Sequence, residues 1–357
     1  MRILVTGGAG FVGSNVCRSL KAAIPEAELT ALDNLKRRGS EFTLPLLKDA
    51  GVAFLHGDIR SPDDIAEAGG FDLLLECSAE PSVQAGYGGS PAYLLHTNLT
   101  GTINCLEAAR RSKAGVIFLS SSRIYPVAPL CGLPLAEEGA RLDIPAEASG
   151  TGWSRAGIAE DFPLAGVRTL YGATKLCSEH LLTEYAATYG LNCVIDRCGV
   201  LAGPWQMGKV DQGFITYWVA RHLFGGELRY TGFGGQGLQV RDVLHIADLI
   251  ELLLYQIENL EALSGQTFNA GGGHEVSVSL RELTALCRER SGREIAIGSK
   301  PETGAYDIPY YVTDNARVTA ATGWAPKRSF AELLGEIFDW FEGNRSLLQP
   351  LYGRETR

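Results

Sequence analysis

Tyr171 and Lys175 stand four residues apart in Leu170-Tyr-Gly-Ala-Thr-Lys175, and upstream a serine run, Ser120-Ser121-Ser122, closes an apolar stretch that reads as a buried strand. A helix places residues i and i+4 on one face, so the phenol and the ammonium would share one space. A nearby ammonium favours the phenolate. It draws a tyrosine, whose unperturbed pKa is about 10, towards the range where it can take a proton from a hydroxyl. The pair alone fits many solvated helix faces equally well, so its chemistry depends on what the rest of the chain brings to it.

The N-terminal pattern supplies the first of those elements. An apolar strand at Ile3–Thr6 runs into Gly7-Gly-Ala-Gly10-Phe11-Val12-Gly13, followed by helical periodicity to about Ala22. Such a turn suits a pyrophosphate: Gly7 permits the tight bend, Gly10 the close approach of the backbone, and Gly13 the packing of helix on strand, while the helix N-terminus offers free N–H groups. A second apolar run from Ala27 to Leu32 ends at Asp33 and Asn34, about 20 residues after the last glycine. An acid there would bond both adenosine ribose hydroxyls and repel a 2′-phosphate, which favours NAD over NADP. The basic Lys36-Arg37-Arg38 segment is either a phosphate receiver or an exposed turn.

The alternation continues with predicted strands at Val52–His56, Phe71–Cys77 and Val116–Ser120. Asp58 and Ile59 are expected to flank the adenine, and Asn98 falls within a helical pattern from Ala92 to Arg111. Strands alternating with helices predict an α/β fold, a Rossmann-type doubly wound parallel sheet, with ligands beyond the carboxyl ends of its strands. Ser78-Ala79-Glu80 and Ser120-Ser121-Ser122 both fall at those ends. The segment between Tyr125 and Tyr171 is too long for a simple crossover and reads as either a covering lid or a surface insertion.

Composition excludes several partners. Lys plus Arg number 32 against 41 Asp plus Glu, a net charge of −9, and the basic residues are scattered, so nucleic acid is not expected. Apolar stretches stop well short of about 18 residues and no signal-peptide pattern opens the chain, so the expectation is a cytoplasmic protein with no membrane partner. The eight cysteines, Cys17, Cys77, Cys105, Cys131, Cys177, Cys193, Cys198 and Cys287, form no C-x-x-C pair and read as reduced and structural. The histidines are dispersed, and no metal site is expected. With 357 residues and no linker, the chain is one composite unit or two closely joined ones.

In this order, the motifs resemble those of the extended short-chain dehydrogenase/reductases, the group of nucleotide-sugar epimerases and dehydratases. The likeness rests on Gly7-x-x-Gly10-x-x-Gly13, Asn98-Leu-Thr-Gly-Thr102, Ser120-Ser121, Tyr171-x-x-x-Lys175, Arg197-Cys-Gly-Val-Leu-Ala-Gly-Pro204, Gln239-Val-Arg-Asp-Val-Leu-His245 and Phe268-Asn-Ala-Gly-Gly272. Counting back from Tyr125, Ser121 matches the family's catalytic Ser/Thr. The resemblance implies that Ser121 bonds the substrate hydroxyl, Tyr171 removes its proton, and Lys175 holds the nicotinamide ribose and lowers the tyrosine pKa. It also implies a Rossmann domain over residues 1–198, joined by parts of 240–275, and a smaller C-terminal lobe, mainly 199–357, that binds a nucleotide sugar. Arg123, Cys198, Gln212 and Arg241 are its expected substrate contacts, with Gly203-Pro-Trp205 and Asp211-Gln-Gly213 in the lining. Asp248 is expected to cap the helix that follows it. A homodimer through helices near 97–112 and 172–189 is implied, or a tetramer built from it.

Within this family the chain looks like the CDP-tyvelose (CDP-paratose) 2-epimerases, through Leu32-Asp-Asn-Leu35, His56-Gly-Asp-Ile-Arg60, Asp211-Gln-Gly213 and Ser277-Val-Ser-Leu280. It departs from them where Gly304 and Pro309 replace arginines that clamp the pyrophosphate. Dehydratases of the family carry an Asp-Glu pair directly after the catalytic Ser/Thr, where this chain has Ser122-Arg123. The expected activity is therefore an NAD-dependent epimerisation of a CDP-linked sugar by transient oxidation. A 4-epimerase or a dehydratase acting on another nucleotide sugar, or a non-catalytic NAD-binding sensor, are the alternatives.

Overall fold

A computed structural model describes residues 1–209 and 212–352, so Asp211 lies outside the described residues. Strands β1 (Arg2–Thr6), β2 (Glu28–Asp33), β3 (Ala53–His56), β4 (Leu73–Glu76), β5 (Gly115–Ser121), β6 (Cys193–Cys198) and β7 (Thr267–Ala270) form one parallel sheet in the order β7-β6-β5-β4-β1-β2-β3. Side chains alternate across it. Ile3 and Val5 pack with Val16 and Leu20 of helix α1 (Phe11–Ala23), whereas Leu4 packs with Leu106 of α2 (Gly101–Ser112) and Leu182 of α3 (Leu170–Tyr189). Both faces are covered, which is why β1 and β4 read as unbroken apolar runs rather than as alternating ones. Burying one such leucine contributes about 1.5–3 kcal/mol. The strand order reverses between β1 and β4, and the crevice opens beyond their carboxyl ends.

The helical pattern from Ala92 onwards is not one helix. A single turn, Ala92–Leu95, passes into a wide π-type turn, His96–Thr100, before α2 begins. The carbonyl of Asn98, in that wide turn, accepts from Thr102 Oγ1 at 3.0 Å and from Ser178 Oγ of α3 at 3.2 Å.

Beyond β6 the chain builds a second apolar cluster, in which Trp218 of the helix Phe214–Phe224 meets Leu283, Ile337 and Phe341. A small sheet joins Val200–Ala202, Val240–His245, Ser277–Ser279 and Tyr310–Tyr311. The helix Ile246–Glu258 returns to the first unit, where Leu249, Leu252 and Leu253 enter the core around α1, and β7 completes the sheet edge. That helix is capped by His245, whose Nδ1 accepts from the Ala247 N–H at 3.0 Å. Asp248, expected as the cap, instead forms an ion pair with Arg328.

The long segment before α3 folds as two short hairpins, Ala136–Glu138 with Arg141–Asp143 and Trp153–Ser154 with Gly157–Ile158. Its Leu130, Ile144, Ile158 and Phe162 join Tyr310, Tyr311 and Val312 in a common core. Buried Asp143 ties it to His274, at 2.8 Å, and to Tyr310, at 3.2 Å. It buttresses the junction of the two clusters and contributes nothing to the walls of the two cavities described below. All eight cysteines are free; Cys131 and Cys177 are exposed rather than buried in apolar surroundings. No helix among the described residues is long and apolar enough to cross a membrane.

Candidate active site

Two adjoining cavities open at the carboxyl ends of the sheet strands. The smaller, about 560 Å³, is lined by the glycine loop, Asp33, Asn34, Ile59 and the stretch from Cys77 to Pro81. Gly7 takes φ +65°, and a Cβ there would lie 2.9 Å from the Cys77 carbonyl oxygen; a Cβ on Gly13 would lie 2.2 Å from the Gly7 oxygen. Only glycine allows this path. Gly10 precedes α1 with no side-chain cap, and Phe11 and Val12 follow it into the wall. The loop and the helix end thus offer backbone N–H groups without side chains in the way, the cradle a diphosphate requires.

Asp33 sits at the end of β2 with its carboxylate fixed from both sides, by the Ala9 N–H at 3.1 Å and the Leu35 N–H at 2.8 Å. Burial raises its pKa, and these backbone donors pull the other way. All three basic residues after it line this cavity, and two of them have protein partners. Arg37 donates to the Met207 carbonyl at 2.8 Å, and the Lys36 ammonium lies 5.1 Å from the centre of the Tyr93 ring. The fixed Asp33 carboxylate fits an adenosine diphosphate with free ribose hydroxyls, which it can accept from.

Other expected cofactor contacts act indirectly. Asp58 turns its carboxylate to Asn34, at 2.8 Å, and to Arg60, at 2.6 Å, and does not line the cavity. Burial alone would raise its pKa, but the Arg60 bonds and Asn34 outweigh that and bring it down to about 2. Asn98 is buried, with its amide spent on the Glu80 backbone, accepting from the N–H at 2.7 Å and donating to the carbonyl at 3.1 Å. It holds the Ser78-Ala79-Glu80 loop rather than lining the cavity. Trp205, placed by sequence with the sugar lobe, lines the smaller cavity and packs against Trp340, with ring centres 5.7 Å apart.

The larger cavity, about 1060 Å³, is where the expected catalytic residues converge: Ser121, Arg123, Tyr171, Lys175, Cys198, Gln212 and Arg241 all line it. Ser121 ends β5, and its Oγ accepts from the Arg123 N–H at 3.2 Å. Tyr171 occupies the first turn of α3, which Thr169 caps by accepting from the Gly172 N–H at 3.1 Å. Its phenol lies beside Ser121; burial pushes its pKa up, while Ser121 and the Arg123 charge pull it down. Lys175, one turn along, is buried and donates to the Leu119 carbonyl at 2.8 Å. Ser120 gives its hydroxyl to Glu179. Glu179 also binds Arg197, with a closest approach of 2.8 Å.

Arg123 and Arg241 approach the same space from different elements. Arg241 is anchored through the carbonyls of Val240, at 2.7 Å, and Ile308, at 2.6 Å. Burial first, and then repulsion from Arg123, lowers its pKa to about 9. Two half-buried guanidiniums that repel one another, with the Asp307 charge acting on both, leave room for a further anion. Among the described residues lining this cavity the one carboxylate is Glu227, which is paired with Arg229 at 2.8 Å.

Sequence reasoning missed Glu76, the last residue of β4. It is fully buried against α2, where Thr102 donates to it at 2.5 Å. Its acidic type at the end of an apolar run signals a strand terminus, and only the packing of α2 reveals the burial.

The sequence profile of the NAD dependent epimerase/dehydratase family matches residues 3–271. A CDP-paratose 2-epimerase from Salmonella typhi is 29% identical over 353 residues, spanning 95% of this chain and 99% of that protein. A dTDP-glucose 4,6-dehydratase from Streptomyces niveus is 28% identical over 358 residues, spanning 98% and 96%. Among solved structures, the dTDP-glucose 4,6-dehydratase of Streptomyces venezuelae with NAD bound superposes with a TM-score of 0.79 at 28% identity, covering 98% of this chain and all of that one.

Proposed function

The chain belongs to the NAD dependent epimerase/dehydratase family, and from that premise we propose that it is a nucleotide-sugar 2-epimerase of the CDP-paratose/CDP-tyvelose kind. The observation that carries this reading is that Ser122 and Arg123, neither a carboxylic acid, follow Ser121 into the larger cavity. Around Tyr171 the described wall of the larger cavity presents Ser121, Ser122 and Arg123, and its one carboxylate is Glu227, paired with Arg229; Glu80, whose charge acts on Tyr171, lines the adjoining cofactor cavity. Expelling water from a sugar needs a second proton donor and acceptor; inverting a carbinol needs only one proton taken and returned.

The glycine loop with Phe11 and Val12, Asp33 and Asn34, Ile59, the Ser78-Ala79-Glu80 loop and Lys175 would hold NAD. When bound, the nicotinamide supplies a reversible hydride acceptor. Ser121 orients the substrate hydroxyl, and Tyr171 removes its proton as the carbon is oxidised to a ketone. The keto sugar presents its opposite face, and Tyr171 returns the proton as the carbon is reduced. Arg241, with Arg123 beside it, supports binding of the diphosphate, whose charge relieves the repulsion between the two guanidiniums. Gln212 and Cys198 complete the sugar's surroundings. We assign residues 1–198, with parts of 240–275, to the cofactor and most of 199–357 to the nucleotide sugar. Pairing of α2 and α3 between two copies is proposed for the dimer, supported by the exposure of Ile103, Cys177 and Tyr189 on those helices.

Incubation with CDP-paratose and CDP-tyvelose, followed by NMR, tests the assignment. Interconversion supports it. Turnover of another nucleotide sugar alone would redirect it to a 4-epimerase or dehydratase, and NAD binding without any turnover would favour a sensor.

A further inference from the structure

Glu76 is 1% exposed and lies between Thr6 of β1 and Phe118 of β5 in the sheet register. One carboxylate oxygen accepts from Thr102, and the other is buried with no hydrogen-bond partner. No ion pair involves it among the described residues. A buried carboxylate without a charge partner is expensive to keep ionised, and the cation that acts on it is Lys175. Lys175 is itself 3% exposed and uses one of its three N–H groups, on the Leu119 carbonyl; the Phe118 ring centre lies 4.4 Å from the ammonium.

We propose that Glu76 is a positioning residue acting through Lys175: its carboxylate is the fixed counter-charge that keeps this ammonium protonated in the core, so that Tyr171 can reach its phenolate. The inference rests on the catalytic reading of Tyr171 and Lys175. Burial pushes the Lys175 ammonium towards its neutral form, and the groups that oppose this are Glu76 first, then Cys77, Cys198 and Glu179. Both thiols are held neutral by burial. Glu179 is committed to Arg197, with bonds from Nε and Nη2, and to Ser120. Of the four, Glu76 is the carboxyl not already spent; burial raises its pKa, and Lys175 and the Thr102 bond oppose that and favour its charged form. Its own surroundings are Thr102 and Cys105 from α2, Cys77 from its own strand end, and Lys175 from α3. Tyr171, in turn, faces Ser121, Cys198, Arg123 and Glu80.

Glu76→Gln tests this, because it removes the charge and keeps an acceptor for Thr102. Losing a nearby opposite charge lowers a buried lysine pKa by about 1–3 units. The alkaline limb of the kcat profile should therefore move down by about 1–3 pH units, and kcat at neutral pH should fall at least about tenfold, with KM and NAD affinity nearly unchanged. Thr102→Val, which removes the hydrogen bond and keeps the charge, should retain the parental profile. An unchanged profile in Glu76→Gln, or the same shift in Thr102→Val, would reduce Glu76 to a packing role. A measurement that needs no variant is the Nζ NMR titration of lysine-labelled enzyme: a charged Lys175 at neutral pH supports the inference, and a neutral amine overturns it. Lys175→Met separates the two levels, since retained turnover there would remove the catalytic reading itself, whereas its loss beside an unaffected Glu76→Gln would overturn only the counter-charge.

Discussion

Ser120 and Ser121 are consecutive at the end of β5, and their hydroxyls meet different parts of α3. Ser120 donates to the buried Glu179, and Ser121 lines the larger cavity beside Tyr171. Ser121→Ala should lower kcat about 10²-fold or more with stability unchanged. Ser120→Ala should leave kcat within about threefold and cost about 1–2 kcal/mol in denaturant unfolding, the worth of one bond to a buried carboxylate. Equal kinetic loss in both variants would contradict the assignment.

Thr169 caps α3 two residues before Tyr171, so the cap positions the phenol as well as the helix. Thr169→Ala should cost about 1 kcal/mol and also lower kcat, because the fraying turn contains Tyr171. Thr169→Ser, which keeps the oxygen, should restore both. Steady-state kinetics alongside urea melts would reveal a cap that matters for stability alone.

At the cofactor end, Asp33 is held by two backbone donors and aimed into the smaller cavity. Asp33→Ser should weaken NAD binding by about tenfold or more in a fluorescence titration, as hydrogen bonds to a charged acceptor are lost. NADP should gain relative to NAD. An unaltered ratio of the two affinities would place discrimination in another residue.

Asp196 of β6 is fully buried, with one oxygen bonded to Gln256 at 2.8 Å and the other unpartnered. Burial raises its pKa to about 7, against the lowering effect of Gln256. The folded state therefore holds this proton more tightly than the unfolded chain, whose carboxyl titrates near pH 4. The associated stability is fully present below about pH 4 and is lost as pH rises through about 7, on the order of a few kcal/mol. Asp196→Asn should flatten that part of the pH–stability curve, with its largest relative gain above pH 7. A wild-type curve no steeper than that of the variant between pH 4 and 7 would exclude this origin.

What the sequence disclosed was the part governed by short-range pattern. Gly7, Gly10 and Gly13 declare a turn that no side chain could follow, Asp33 is fixed by its place after an apolar run, and the spacing of Tyr171 and Lys175 needs only helical geometry. Residues whose roles depend on three-dimensional neighbours were hidden. Glu76 becomes special only when α2 and α3 close over it. The helix begins at Ile246, earlier than the apolar pattern suggests, so His245 is the cap and Asp248, inside the first turn, pairs with Arg328, eighty positions away in the chain. Trp205 went to the wrong cavity because sequence adjacency to the second lobe says nothing about which wall a left-handed residue, here at φ 71°, will face.

The wide turn at His96–Thr100 has a consequence for how this chain could tolerate change. It is a phase shift: it holds one residue more than a regular turn, so the faces of Ala92–Leu95 and of α2 are offset by about 100° from where an uninterrupted helix would put them. Tyr93 reaches the cofactor cavity on one side of the offset, and Gly101 fits against Ile59 on the other, with room for no Cβ. Deleting a single residue between them would restore a regular helix and rotate one of the two contacts away, so a length change is worse here than any one substitution.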